Sequence, residues 1–542
     1  MKSTRWLRIS SLAAALSSAT IPVAATHTDH SKADSLGAVD FRVSCDPAVR
    51  ADFDRALANL HHMMYVEAER EFEAIAAKDP GCAMAHWGIA ASLFQPLWPT
   101  RPGAADLERG RREVEIAEKL NPTSERERAL LQAAEAFYGA PGETDWWARI
   151  GRWAESMEEA YRAHPGDRDI AAFYALSQLA IAQVADDRAP YNAEAAKVLL
   201  AIHKEEPTHP GAIHYTIHAN DVEGRAGESL DVVRAYGDIA PSVPHALHMP
   251  THIFVRLGDW PEVIAWNRKS ADAALRFPAG ETVSHHYLHA IDYLVYAHLQ
   301  RGEDTTAASL LAESRTKGEH QPSFISAFHL AAIPARFAIE RRNWKEAAAI
   351  APRNPATIPW DKFPWPEGIS RFARGLGAVH SGDLATARAA EAKLATLRDG
   401  AKAAGEKNFA SYVEIDRLIL AGRIARAQGK DDEAIARMRE SAELEATVEK
   451  HPVTPGALLP PSEALGDLLL ELGRRTEALE VYEASLKIWP QRYNSLLGAA
   501  RAARAAGEDQ AAKAYYSQLV ETTAATSGRE GIAEARRILG KL

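Results

Sequence analysis

Cysteine is scarce in this 542-residue sequence: only Cys45 and Cys82 are present, and no C-x-x-C pair occurs. That excludes dithiol redox catalysis and haem attachment through C-x-x-C-H. Basic residues are not in surplus, and the formal net charge of −10 excludes the electropositive footprint that nucleic-acid binding needs. No stretch beyond the N-terminus is apolar enough to span a bilayer. Strand-like alternation of apolar and polar residues is nearly absent, which argues against a sheet-based fold. The zincin HExxH, the nucleophile elbow G-x-S-x-G, the phosphate-binding P-loop and the Rossmann glycine pattern are all missing. The remaining composition, 25% charged and 46% hydrophobic, is that of a globular protein.

The first residues stand apart. Lys2, Arg5 and Arg8 precede the apolar run Leu12 to Leu16, and the small residues Val23, Ala24 and Ala25 follow. A charged start, a short apolar stretch and an A-x-A-like end read as a signal peptide over residues 1–25, placing the mature chain in the periplasm or outside the cell. In such an oxidising compartment an even cysteine count favours a Cys45–Cys82 disulfide, two buried thiols being the alternative.

The rest of the chain is periodic. Helical segments end at a glycine, with an aromatic or apolar residue two positions on and alanine five on. Examples are Gly258 with Trp260, and Gly382 with Leu384 and Ala387. Gly473 and Gly507 stand 34 residues apart, as do Gly224 and Gly258. Ala68, Phe72 and Pro80 near the start, with Tyr65 ahead of them, fall at the same spacings as Ala478, Tyr482 and Pro490 near the end, with Ser485 between. This pattern resembles the tetratricopeptide-repeat (TPR) family, whose unit is a 34-residue helix-turn-helix. The resemblance implies an all-α, right-handed superhelical solenoid in which each hairpin buries its apolar face against its neighbours. It divides the chain into a lead segment over 26–48, repeats over 49–350, a loop over 351–368 rich in proline and tryptophan, and further repeats over 369–542. The stretches around His245 to Trp260, His285 to Gln300 and Glu449 to Gly473 are similar to a group of secreted bacterial TPR proteins of obscure function. That likeness carries no activity with it.

The 21 histidines cluster. His-x3-His-x2-Asp occurs at His214, His218 and Asp221 and again at His285, His289 and Asp292, a spacing that puts the three side chains on one helical face. Measured back from the turn glycine, His214 and His218 before Gly224 occupy the same places as His248 and His252 before Gly258. His245 is matched by His289 before Gly302, where Asp292 and Tyr296 follow. His329 and Arg336 continue the register before Arg342, which takes the turn position, and Glu463 and Asp467 do so before Gly473. In the TPR family these places face the concave groove, where ligands bind.

Imidazoles from three consecutive hairpins point to a transition metal, zinc, copper or iron, held by a subset of His214, His218, His248, His252 and His289. Asp221 or Asp292 would be a ligand or an orienting group. His245, Tyr296, His329, Arg336, Glu463 and Asp467 are then candidates for contacting a small-molecule or peptide-like ligand, Arg336 through a carboxylate. The competing reading of the same residues is a hydrogen-bonded polar groove that keeps adjacent helices in register. Two functions follow: a metal-dependent protein or enzyme of unspecified reaction, or a non-catalytic scaffold binding a peptide or protein partner in the cell envelope.

Overall fold

The computed structural model describes residues 35–540; the segment read as a signal peptide lies outside them. Among the described residues the protein is all-helical, with isolated bridges such as Val283 to His320 but no strand. It is a right-handed superhelical solenoid of TPR-like helix-turn-helix repeats. Each helix packs on its neighbours in sequence, and alternate helices also touch one another along the inner face.

The turns explain the period. Gly258 and Gly473 take φ of +70° and +73°, the left-handed conformation that closes a helix and that a Cβ disfavours. Arg342 holds the same turn position with φ of +53°. Its guanidinium meets Glu463 and Asp467, each at 2.8 Å, which offsets a local backbone cost of about 1–2 kcal/mol. Small residues allow close approach: Gly466 and Gly498 flank the Tyr482 ring, where a Cβ would stand 2.8 and 2.3 Å from it.

The helices that matter for the site line the inner wall. They are α1 (Arg50–His61), α2 (Pro210–Asn220), α3 (Pro244–His248), α4 (Pro250–Leu257), α5 (His285–Gln300) and α6 (Phe324–Glu340). Pro250 lacks the N–H that would continue α3, so one repeat helix is split in two at Met249. Cys45 and Cys82 form a disulfide that ties the lead segment to the helix Ala83–Leu93.

The superhelix closes on itself. Arg101 pairs with Glu406 at 3.0 Å, Asn408 donates to the Gln183 carbonyl at 2.7 Å, and Arg529 pairs with Asp304 at 2.5 Å. Arg256 meets Glu449, and Lys450 meets Asp221 at 3.1 Å. Residues 449–456 pack against the inner wall and cover it. The stretch 351–368 is irregular only as far as Phe363, with a short turn at Trp360–Lys362. Pro364 then opens a helix, Pro364–His380, because its fixed φ suits a first helical position.

Candidate metal centre

The inner wall brings the repeated histidines together. On α2, His214 and His218 lie one turn apart, with ring centres 5.0 Å from each other. His245 on α3 is 5.0 Å from His214. His248 on α3 lies 4.8 Å from His252 on α4 and 4.0 Å from His289 on α5. His329 on α6 is 4.8 Å from His289. All are buried except His218, which is half-buried. Trp98, from the loop after Ala83–Leu93, covers the array, with its ring 5.1 Å from His245 and 6.5 Å from His289.

Hydrogen bonds fix which ring nitrogens carry protons. The Asn267 amide nitrogen donates to the Val263 carbonyl at 2.9 Å, so its oxygen accepts from His248 Nδ1–H at 2.7 Å. His252 Nδ1–H donates to the Asp221 carboxylate at 3.0 Å. Both Nε2 atoms are therefore lone pairs, and they face each other at 3.0 Å. His329 Nδ1–H donates to Asp292 at 3.1 Å, so its Nε2 accepts from His289 Nδ1–H at 2.8 Å and His289 Nε2 is bare. His214 Nδ1–H donates to the His61 carbonyl at 2.6 Å, which leaves its Nε2 bare and unpartnered. His218 Nε2 and both nitrogens of His245 also lack partners.

Burial keeps these rings neutral. It lowers the pKa of His218 to about 3, and it holds His214, His245, His248 and His289 well below the usual imidazole range, with neighbouring histidines adding to the effect. Asp221 and Asp292 behave oppositely. Burial opposes their ionisation, but Lys450 and Arg256 beside Asp221, and Arg336 beside Asp292, outweigh it and keep both carboxylates charged. Their oxygens are already engaged by these cations and by His252 and His329. Both aspartates thus sit behind the imidazoles, where a carboxylate fixes a ring's tautomer and raises its basicity as a ligand.

Nitrogen atoms of His248, His252 and His289 lie within 4.8 Å of one another, and so do those of His214, His218 and His245. Neutral imidazoles with preset lone pairs fit a transition metal and not magnesium or calcium. A third group, His61, Asp169 and His209, is different: His209 Nδ1 accepts from the Ala212 N–H at 3.1 Å, and both rings donate toward Asp169. Its atoms satisfy each other, so it reads as a brace between α1 and α2.

Other residues in the sequence-read stripe lie elsewhere. Tyr296, Glu463 and Asp467 belong to an ionic layer built on Arg492, which pairs with Glu340 and Glu463, each at 2.7 Å, and donates to Tyr296 at 3.2 Å. Arg336 reaches a separate cavity of about 490 Å³, also lined by Trp365, Tyr412, Lys450 and His451. In that cavity burial pushes Glu445 up to about 7 and Asp416 well above the usual carboxylate range. A smaller space of about 30 Å³, roughly one water's share of liquid volume, lies against Trp98, His218, His245, His252 and His289. His451 lines both spaces. Sequence reasoning did not single out Asn267, Lys450, His451 or Arg492, because none belongs to the repeated stripe.

The fold and these clusters define a TPR-like helical scaffold with an imidazole-rich interior. Comparison with protein families and with curated proteins finds no match. Among solved structures, the human IFIT1 dimer with PPP-AAAA is similar at 13% identity and TM-score 0.39, over 86% of this chain and 89% of that one. The same human dimer with m7Gppp-AAAA is similar at 14% identity and TM-score 0.39, over 81% and 90%. The APC/C hetero-tetramer Cut9-Hcn1 is similar at 11% identity and TM-score 0.28, over 91% and 96%. No helix among the described residues is long and apolar enough to cross a membrane.

Proposed function

We propose that this chain is an exported metalloprotein that holds a transition metal on the inner wall of its solenoid and acts on a small organic or peptide-like ligand. The observation that carries the reading is the pair His248 and His252, whose Nε2 lone pairs face each other at 3.0 Å while both Nδ1–H groups are committed elsewhere. Two bare lone pairs at that distance repel, and a shared cation removes the repulsion. His289 Nε2 supplies a third donor. A metal there would provide Lewis acidity.

The ligand is placed in the 490 Å³ cavity, a size suited to small organic molecules. Arg336 and Lys450 offer positive charge to it, Trp365 and Tyr412 offer flat apolar surface, and Glu445 holds or releases a proton near neutrality. His451 lines both this cavity and the space beside the imidazole array.

The decisive test is elemental analysis of untagged protein purified without added metal. Stoichiometric zinc, copper or iron, lost on His248→Ala with His252→Ala, is expected. Metal-free protein that also takes up none of these ions on dialysis would overturn the reading. It would leave the alternative, a non-catalytic scaffold for a peptide or protein partner. That alternative is disfavoured because residues 449–456 of the same chain already cover the inner wall.

A further inference from the structure

We infer that the imidazole array is a two-ion centre, with His214, His218 and His245 forming a second three-nitrogen site beside His248, His252 and His289, and that both sites take copper. The inference rests on the metal reading above and extends it in stoichiometry and in the identity of the ion.

The number of ions follows from geometry. At metal–nitrogen distances of about 2.0–2.1 Å, nitrogens sharing one ion stand roughly 3–4 Å apart. The candidate atoms fall into two triads with no shared member, each within 4.8 Å internally. The triads adjoin along two edges, His218 to His252 at 6.0 Å and His245 to His248 at 6.1 Å between ring centres. Six imidazoles spread in this way outnumber what one ion can gather.

The second triad is more than proximity. His214 Nε2, His218 Nε2 and both nitrogens of His245 are buried with no hydrogen-bond partner. Single unpaired ring nitrogens occur elsewhere, at His286 Nδ1 and His320 Nδ1, while His62 is paired at both nitrogens, with Tyr236 at 2.8 Å and the Leu36 carbonyl at 2.9 Å; only here do four such nitrogens from three rings gather among the described residues. Unpaired nitrogens gathered at one place signal an absent electrophile. The tautomer of His214 is set for it, since its Nδ1–H is spent on the His61 carbonyl at 2.6 Å.

The donor set selects the metal. All six ligands are neutral nitrogens; Asp221 and Asp292 are engaged behind the rings, and no thiolate is present. Imidazole suits zinc, copper, iron and nickel, so nitrogen ligation alone leaves the choice among them open and charge decides it. The absence of anionic ligands in a buried site, with Arg256, Lys450 and Arg336 nearby, penalises a pair of dications far more than a pair of monovalent ions. Copper alone among the candidates offers a stable monovalent state.

The experiment is anaerobic titration of metal-free, full-length protein with copper(I) against a competing chelator, and separately with zinc(II), with metal content measured after gel filtration. Two equivalents of copper per chain are expected. His214→Gln with His245→Gln is expected to retain one equivalent, and so is His248→Gln with His252→Gln. A single equivalent in the unaltered protein would overturn the two-ion centre and leave the single-metal reading standing. No uptake of either ion would overturn both. Two equivalents of zinc with no copper would overturn the choice of metal. The count on the unaltered protein decides the question even where a double variant fails to fold.

Discussion

His248 and Asn267 are joined across two packed helices by a 2.7 Å hydrogen bond that determines which nitrogen of the ring is free. Asn267 lies on Trp260–Ala274, outside the histidine stripe, and is fully buried. Its effect on the site passes entirely through the ring it orients.

Asn267→Leu is therefore expected to lower metal affinity by roughly 10–100-fold, the usual effect of removing a partner that orients a ligand. The fold should persist, since leucine is similar in volume and only His248 Nδ1 loses its acceptor. Competition with a chromophoric chelator measures the change. Unchanged affinity would show that the Asn267 bond has no part in positioning His248.

Arg492 is the fixed point of a second layer. It is fully buried between Glu340 and Glu463 and donates to the carbonyls of Ala457 and Leu458. Arg492→Met strips Glu340 of its cation and leaves Glu463 with Arg342 alone, and a loss of about 3–5 kcal/mol is expected. Urea unfolding of the variant beside the parent checks this, with metal content as the control. Metal content should be unaffected in whatever fraction remains folded, because this layer is distinct from the imidazole array.

Acid should destabilise the metal-free protein. An unfolded imidazole takes up its proton near pH 6.5. Burial holds His62 and His286 to about 4, and His218 and His451 to about 3. Between these values the unfolded chain binds protons that the native one refuses. Stability from these groups is thus complete above pH 6.5 and lost as pH falls toward 3, by about 1.4 kcal/mol per pH unit for each group. Tm of the metal-free protein is expected to drop steeply from pH 7 to pH 5, and less steeply in His62→Gln. A flat profile would contradict neutral buried imidazoles.

The repeat was readable because its signals are local. Turn residues recur at a fixed interval, and Arg342 could be placed at a turn by register although it is not glycine. The structure gives it the left-handed backbone that the position requires. The alignment of His214, His218, His248, His252 and His289 on one wall was readable for the same reason, since equal offsets in stacked hairpins produce one stripe. What sequence did not reveal is long-range. Lys450 reaches Asp221 across 229 residues, and Arg101 reaches Glu406 across 305. No local pattern encodes those meetings. The same limit separates Glu463 and Asp467 from the histidines: the stripe continues in register, but the later helices meet Arg492 and Arg342 instead. His285 shows a further limit, since it matches the His-x3-His spacing yet lies beside Trp98 and Ser323, outside both triads.

The covering of the array by Trp98 on one side and by the chain around His451 on the other bears on how an ion enters and leaves. With about 30 Å³ of free space beside the rings, exchange with solution is limited by local opening of the segments that cover them. Metal uptake and release by the folded protein are then expected to be slow, and a chelator competition to reach its end point only after long equilibration.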